Sequence, residues 1–245
     1  MNLDLLIYAA IGFAAQLVDS SIGMAYGSLS SSLLLTAGLP AQSISATIHT
    51  AEIFGGSAAA FSHWRMKNLD WKLFHKLLWP ALTGAIIGAF LVTQIGNESL
   101  KLFMGIYFVF IGAVILIKTL RPVLIGQIKT HREIIGLIGG FLDAFGGSGW
   151  GEFVSSGLLL RGQEVRTAIG SIVTVEFIIS AAVSAVFFST TGIGHLPVIA
   201  ALAIGSIAAA PLGAIVCRKA PVFPLKLAVG TVIMIVGIRT ILLAL

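Results

Sequence analysis

The run Asp19-Ser-Ser-Ile-Gly-Met-Ala-Tyr-Gly-Ser28 has a twin 124 residues later, Asp143-Ala-Phe-Gly-Gly-Ser-Gly-Trp-Gly-Glu152. Glycines at this density break a helix and leave backbone amides without intrahelical partners. In lipid such amides must find partners in protein, water or a ligand. A helix restarting near Ser28 or Glu152 aims its positive end and its free N–H groups at the break. That arrangement holds an oxyanion without a basic side chain. Gly23, Gly27, Gly147, Gly149 and Gly151 make the breaks, and Ser148 lies inside the second one. Ser28, Ser31, Ser32, Ser155 and Ser156 bring hydroxyls within a turn. The twins Tyr26 and Trp150 bring an O–H and an N–H donor. The competing reading is structural: glycine for close helix packing, serine bonded to its own helix backbone.

Asp19, Glu52, Asp143, Glu152 and Glu176 lie at membrane depth, five of the ten acidic residues. His49 stands one turn before Glu52 on the same helix face. Ionised groups in a bilayer cost about 2.5–3.5 kcal/mol or more, so they face a functional interior rather than lipid. Asp19, His49, Glu52, Asp143 and Glu176 are therefore candidates for carrying protons. Asp19 and Asp143 have a structural alternative, accepting from backbone N–H groups in the breaks. Thr50 and Thr174, beside the duplicated glutamates, join the candidate substrate-binding set. Carboxylates repel an anion unless they are protonated, bonded to amides or set apart from it, so these acids also leave a cation site open.

The elements that must position these groups come as two copies. Residues 12–53 align with 136–177 without a gap, and 12 of the 42 positions are identical, mostly glycine or polar. An offset of 125 pairs Gly88 with Gly213, Gly105 with Gly230 and Gly112 with Gly237. The halves are a duplication: residues 1–118 form a first membrane repeat, 119–132 a basic cytoplasmic connector and 133–245 a second, inverted repeat. Each half reads as five segments, near 3–18, 28–37, 44–62, 77–95 and 100–118, then 133–142, 152–161, 166–188, 196–216 and 225–244. A span needs about 20 residues. The last three segments of each half qualify, and the first two read as a broken re-entrant hairpin. The fold class is an all-α integral membrane protein with inverted-topology repeats, an architecture of secondary transporters.

Loop charge orients the chain. The loop 63–76 carries Arg65, Lys67, Lys72 and Lys76, whereas its counterpart 189–195 has no Lys or Arg. The loop 96–99 has only Glu98, whereas its counterpart 217–224 carries Arg218 and Lys219. The same loop faces opposite sides in the two copies, and both termini lie outside. The N-terminus has no basic leader region and reads as the first membrane segment.

Composition narrows the function classes. The chain has 245 residues, 57% hydrophobic and 10% charged. A soluble domain carries about 25% charged residues. The net charge of +5 sits in short loops, which is a membrane-orientation signature and excludes a nucleic-acid surface. Trp64, Trp71 and Trp79 read as an interfacial belt, and His63 and His75 as interfacial. The single cysteine, Cys217, reads as an apolar filler. No CxxC, HExxH, Walker loop or GxSxG occurs, so neither a metal site nor a cofactor is expected.

At the breaks the chain resembles the TauE/SafE sulfite-exporter family, also called the TSUP family, and the resemblance covers nearly the whole chain. It is carried by Gly23-Met-Ala-Tyr-Gly27, Ser45-Ala-Thr-Ile-His-Thr-Ala-Glu52, Ser62-His-Trp64, Gly139-Gly-Phe-Leu-Asp143, Gly147-Ser-Gly-Trp-Gly151, Ile169-Gly-Ser171 and Glu176-Phe177. The resemblance implies export of sulfite or small organosulfonates across the bacterial inner membrane, coupled to an ion gradient. Relatives commonly have Pro after the second Gly-Trp-Gly, where this chain has Glu152, an acid that would compete with a bound anion. The expected function is alternating-access transport of a small sulfur oxyanion, with a proton as coupling ion and the lipid bilayer as surroundings. Two alternatives stand beside it: a permease for a cation or neutral solute, and an intramembrane enzyme built on His49 and Glu52.

Overall fold

The computed structural model describes residues 3–121, 131–147, 150–159, 163–192, 195–217 and 222–245. These residues form ten helices and, among the described residues, no strand. The first five are α1 (Leu3–Ile22), α2 (Tyr26–Thr36), α3 (Ala41–Arg65), α4 (Trp71–Gln94) and α5 (Asn97–Leu120). The second five are α6 (Arg132–Gly146), α7 (Trp150–Leu159), α8 (Val165–Thr190), α9 (Leu196–Val216) and α10 (Val222–Ala244). The expected connector between the halves falls largely on residues 122–130, outside the described residues.

The packing inverts that of a soluble protein. Phe110, Ile204, Ile235 and Leu242 are exposed, while Gln16, His49, Glu52, Asp143 and Glu152 are buried. An exterior of this kind is stable only against hydrocarbon. Among the described residues, six helices are long and apolar enough to cross a membrane: α1, α4, α5, α8, α9 and α10. With 25 residues α3 is longer than most of them, but it carries His49, Thr50 and Glu52. The protein is an all-α integral membrane protein.

The first helix differs from its expected length. It continues past Val18 to Ile22 and spans 20 residues, against 15 for its twin α6. The polar turn Asp19-Ser20-Ser21 stays helical because its side chains are satisfied locally. The Gln16 amide donates to Asp19 and Ser20, and the Ser21 hydroxyl to the Leu17 carbonyl. The helix stops only at Gly23, whose φ is 69°.

Helix pairing between the halves is reciprocal. α1 packs on α9 and its twin α6 on α4, α3 packs on α9 and α8 on α4, and the twins α3/α8 and α5/α10 pack on each other. Glycines fit these crossings in matched pairs. A Cβ at Gly88 would lie 2.7 Å from the Phe141 carbonyl oxygen, and one at the twin Gly213 2.9 Å from the Leu17 carbonyl oxygen. Between α5 and α10, Gly112 faces the Gly230 carbonyl and Gly237 the Gly105 carbonyl, each at 2.9 Å. Rising numbers on α5 meet falling numbers on α10, so these twins run antiparallel. The small residues at 88, 105 and 112 are packing residues.

The three tryptophans expected at the interface are all exposed: Trp64, Trp71 and Trp79. His75 is exposed beside Trp71 and Phe74. His63 is not interfacial: it is fully buried. Its Nε2–H donates to the Ser20 carbonyl at 3.1 Å, and its Nδ1 accepts from the Asn68 amide at 3.1 Å. A carbonyl at the end of a helix lacks an intrahelical donor, and His63 supplies one. Cys217, half-buried, packs against a small apolar cluster of Ala59, Ile169, Val173 and Ala210.

Candidate functional site

The two breaks touch. Gly151 sits against the backbone of the first break, where a Cβ would lie 2.6 Å from Met24 Cα and 2.8 Å from the Gly23 carbonyl oxygen. Only glycine permits that approach. The Ser31 hydroxyl donates across to the Gly147 carbonyl at 2.6 Å, and the Ser45 hydroxyl to the Ala144 carbonyl at 3.0 Å. The chain turns at Gly23 (φ 69°), Ala25 (φ 90°) and Gly147 (φ 66°). Ala25 holds a left-handed conformation that costs an L-residue about 1–2 kcal/mol, and strain of this kind gathers at functional sites. Ser148 and Gly149, expected in the site, lie outside the described residues.

The helix that restarts at Tyr26 has no side-chain cap of its own. Its positive end instead meets the carboxylate of Glu152, which accepts a hydrogen bond from the Ser28 hydroxyl. Glu152 thus stands where an oxyanion at the first break would stand. The second break is closed differently: the Trp150 amide donates to Asp143 Oδ1 at 3.2 Å. Asp143 caps α7, as the structural reading of that residue foresees, while its twin Asp19 is paired with Gln16.

Four expected donors are engaged by the scaffold. Tyr26 OH pairs with Ser206 Oγ at 3.2 Å, and Trp150 Nε1–H donates to the Ile172 carbonyl at 3.0 Å. Thr50 and Thr174 each donate to the carbonyl four residues back, of Ala46 and Gly170, at 2.6 and 2.7 Å. Ser155 is the exception: its hydroxyl is buried without a hydrogen-bond partner.

The duplicated acids and His49 gather beside the breaks, all buried. His49 Nδ1 lies 3.2 Å from Ser180 Oγ, 3.6 Å from Glu52 Oε2 and 3.9 Å from Asp143 Oδ2. The Ser180 hydroxyl donates to Glu52 Oε2 at 2.7 Å. With that hydrogen committed, Ser180 Oγ accepts from His49, so Nδ1 carries the proton. His49 Nε2, Asp19 Oδ1, Asp143 Oδ2 and Glu176 Oε2 are buried without a hydrogen-bond partner. Such atoms carry a large desolvation penalty unless water, a proton or a ligand meets them. No Lys or Arg is among the described buried residues, and no group of three or more His, Cys, Asp or Glu side chains among the described residues is arranged to hold a metal ion.

Sequence reasoning missed Ser45, Ser180, Ser184 and Tyr107. Glu176, Ser180 and Ser184 recur every fourth residue and so share one face of α8; that period was a usable signal. Tyr107, on α5, has a buried hydroxyl without a hydrogen-bond partner, and nothing in its sequence neighbourhood marks it.

Residues 8–240 match the family described as Sulfite exporter TauE/SafE. The chain is 33% identical over 249 residues to the probable membrane transporter protein YtnM of Bacillus subtilis (strain 168), an alignment covering 97% of this chain and 83% of the relative. No solved structure gives a significant match. With the family match spanning most of its length, the chain belongs to the TauE/SafE sulfite exporter family.

Proposed function

We propose that this membrane transporter exports a small sulfur-containing oxyanion, such as sulfite or an organosulfonate, by proton-coupled alternating access. The observation that carries the proposal is the direct contact of two helix breaks, lined by amides and hydroxyls and bordered by buried acids with unpartnered oxygens. Helix N-termini and hydroxyls suit an oxyanion. Its charge is offset by dipoles, and protons on Glu52 and Glu176 reduce the repulsion. The family and the curated relative support a transporter of this type. Antiparallel packing of the twin helices α5 and α10 supports the inverted repeat, and the excess of Lys and Arg in alternate loops favours both termini outside. In this reading Gly23, Gly27, Ser28, Ser31, Gly147, Gly151 and Ser155 face the anion, and His49, Glu52 and Glu176 handle protons.

Reconstitution tests the proposal. Proteoliposomes containing the protein should move radioactive sulfite when a pH gradient is imposed, and an uncoupler should abolish the drive. Absence of sulfite flux under gradients of either sign would sink the sulfite assignment. Among the described residues, five buried carboxylates without a buried Lys or Arg favour a second reading, a permease for a cation. Thermal stabilisation by cations, with none by sulfite, sulfate or thiosulfate, would select it.

A further inference from the structure

The α3–α8 contact joins twin helices, yet its two ends differ chemically. Contacts run antiparallel along it: Gly56 lies against Phe177, His49 and Glu52 against Ser180, and Thr50 against Ser184. From His49 and Glu52 toward the start of α3 the seam carries hydroxyls. Ser180 bridges His49 and Glu52, and one turn on Ser184 and Thr50 approach to 3.4 Å. One further turn on, a cavity of about 180 Å³ opens, lined by Ser43, Ala46, Thr93, Phe187 and Thr191. Thr191 and Gly192 at its edge are exposed. In the opposite direction the seam is apolar: Ala59, Ile169, Val173 and Ala210 pack into one buried cluster.

The difference follows from substitutions at twin positions. With the 124-residue offset, His49 corresponds to Val173, Ser180 to Gly56, Ser184 to Ala60 and Ser45 to Ile169. Each of these four polar groups thus has an alkyl group or glycine at its twin position, while Thr50 keeps a hydroxyl twin, Thr174, which is bonded within its own helix to the Gly170 carbonyl. At these four positions the polar groups lie on one side of the acids and the apolar twins on the other.

We propose that this half-seam is a one-sided proton route, joining the His49–Glu52 pair to the cavity at the start of α3. The proposal rests on the proton-coupled reading above and adds the path and its sidedness. Hydroxyls one helical turn apart are about 5–6 Å from each other, the width of one bridging water with a hydrogen bond of about 2.8 Å on each side. A proton arriving on one oxygen releases that oxygen's own hydrogen to the next, so one proton moves and each hydroxyl is regenerated by rotation. The titratable groups around the inner end are Asp19 on α1, Asp143 on α6, Glu152 on α7 and Glu176 on α8. The apolar cluster blocks the same hops toward the basic loop at the end of α3.

Two measurements test the route. In proteoliposomes, Ser184→Ala should lower pH-gradient-driven sulfite flux by about tenfold, the size of one lost neutral hydrogen bond in the limiting path. Sulfite exchange at equal pH, which needs no net proton movement, should persist, and Ser184→Thr should restore coupling. In a Cys217→Ser background, Ala46→Cys should react with a charged, membrane-impermeant thiosulfonate while Ala59→Cys stays unreactive. Wild-type gradient-driven flux in Ser184→Ala, or equal labelling at 46 and 59, overturns the route. If wild-type protein moves no sulfite at all, the substrate assignment fails, while the labelling contrast still decides the sidedness of the seam.

Discussion

Replacing Glu152 with glutamine removes a negative charge from the place where the transported anion is proposed to bind. The carboxylate is buried at the start of α2 and takes the Ser28 hydroxyl. A helix N-terminus favours an anion by up to about 2 kcal/mol in a partly buried site. A hydrogen bond to a charged acceptor contributes about 1.5–3 kcal/mol. Both are withheld from a substrate while Glu152 holds them. A substrate charge about 6 Å away would also be repelled by roughly 3 kcal/mol at an effective dielectric of about 20. Glutamine keeps the shape and still accepts from Ser28, but it carries no charge. Partial recovery of these terms, about 2–3 kcal/mol, tightens anion binding by roughly 30- to 150-fold. Calorimetric titration of sulfite into wild-type and Glu152→Gln protein, in the same detergent, pH and salt, reads the change directly. Unchanged or weaker sulfite binding by a Glu152→Gln protein that elutes as wild type refutes the anion placement. Loss of cation binding in the same variant would support the cation reading.

Gly151→Ala forces a Cβ to 2.6 Å from Met24 Cα, an overpacking that costs about 1–3 kcal/mol; transport should fall and the thermal midpoint should drop. Ala25→Gly relieves a left-handed φ of 90° and should stabilise by about 1 kcal/mol, seen as a raised midpoint. Asp70 accepts from the Lys72 and Leu73 amides, so Asp70→Ala should cost about 1 kcal/mol in denaturant or thermal unfolding. Glu164 caps α8 outside the membrane. Hydrogen bonding by Thr167, assisted by the Arg166 amide, holds its carboxyl below the usual range. A depressed value means its contribution is complete above about pH 4.3, the ordinary glutamate value, and is lost as pH falls through the lower folded value. Glu164→Gln should therefore flatten the acid limb of the stability profile, and an unchanged acid limb would remove this cap from the account.

Much of this protein is determined by composition and repetition. Long apolar segments leave no fold but membrane helices, because only hydrocarbon tolerates so few charges. A duplication leaves matching glycines, and these mark both the breaks and the helix crossings. The buried acids were legible too, since a carboxylate within an apolar run has nowhere to go but the interior. Tertiary structure decided which donors remain free. Tyr26, Trp150, Thr50 and Thr174 looked like ligand contacts by residue type, yet each bonds to the scaffold. A hydroxyl's partner depends on which carbonyl a neighbouring helix presents, and a linear pattern does not carry that. His63 became a buried cap rather than an interfacial residue for the same reason. Glu152 shows the division most plainly: the sequence placed it at the start of α7, beside its own helix dipole. Only the contact between the two breaks, closed by Gly151 against Met24, turned it toward Ser28 at the opposite helix.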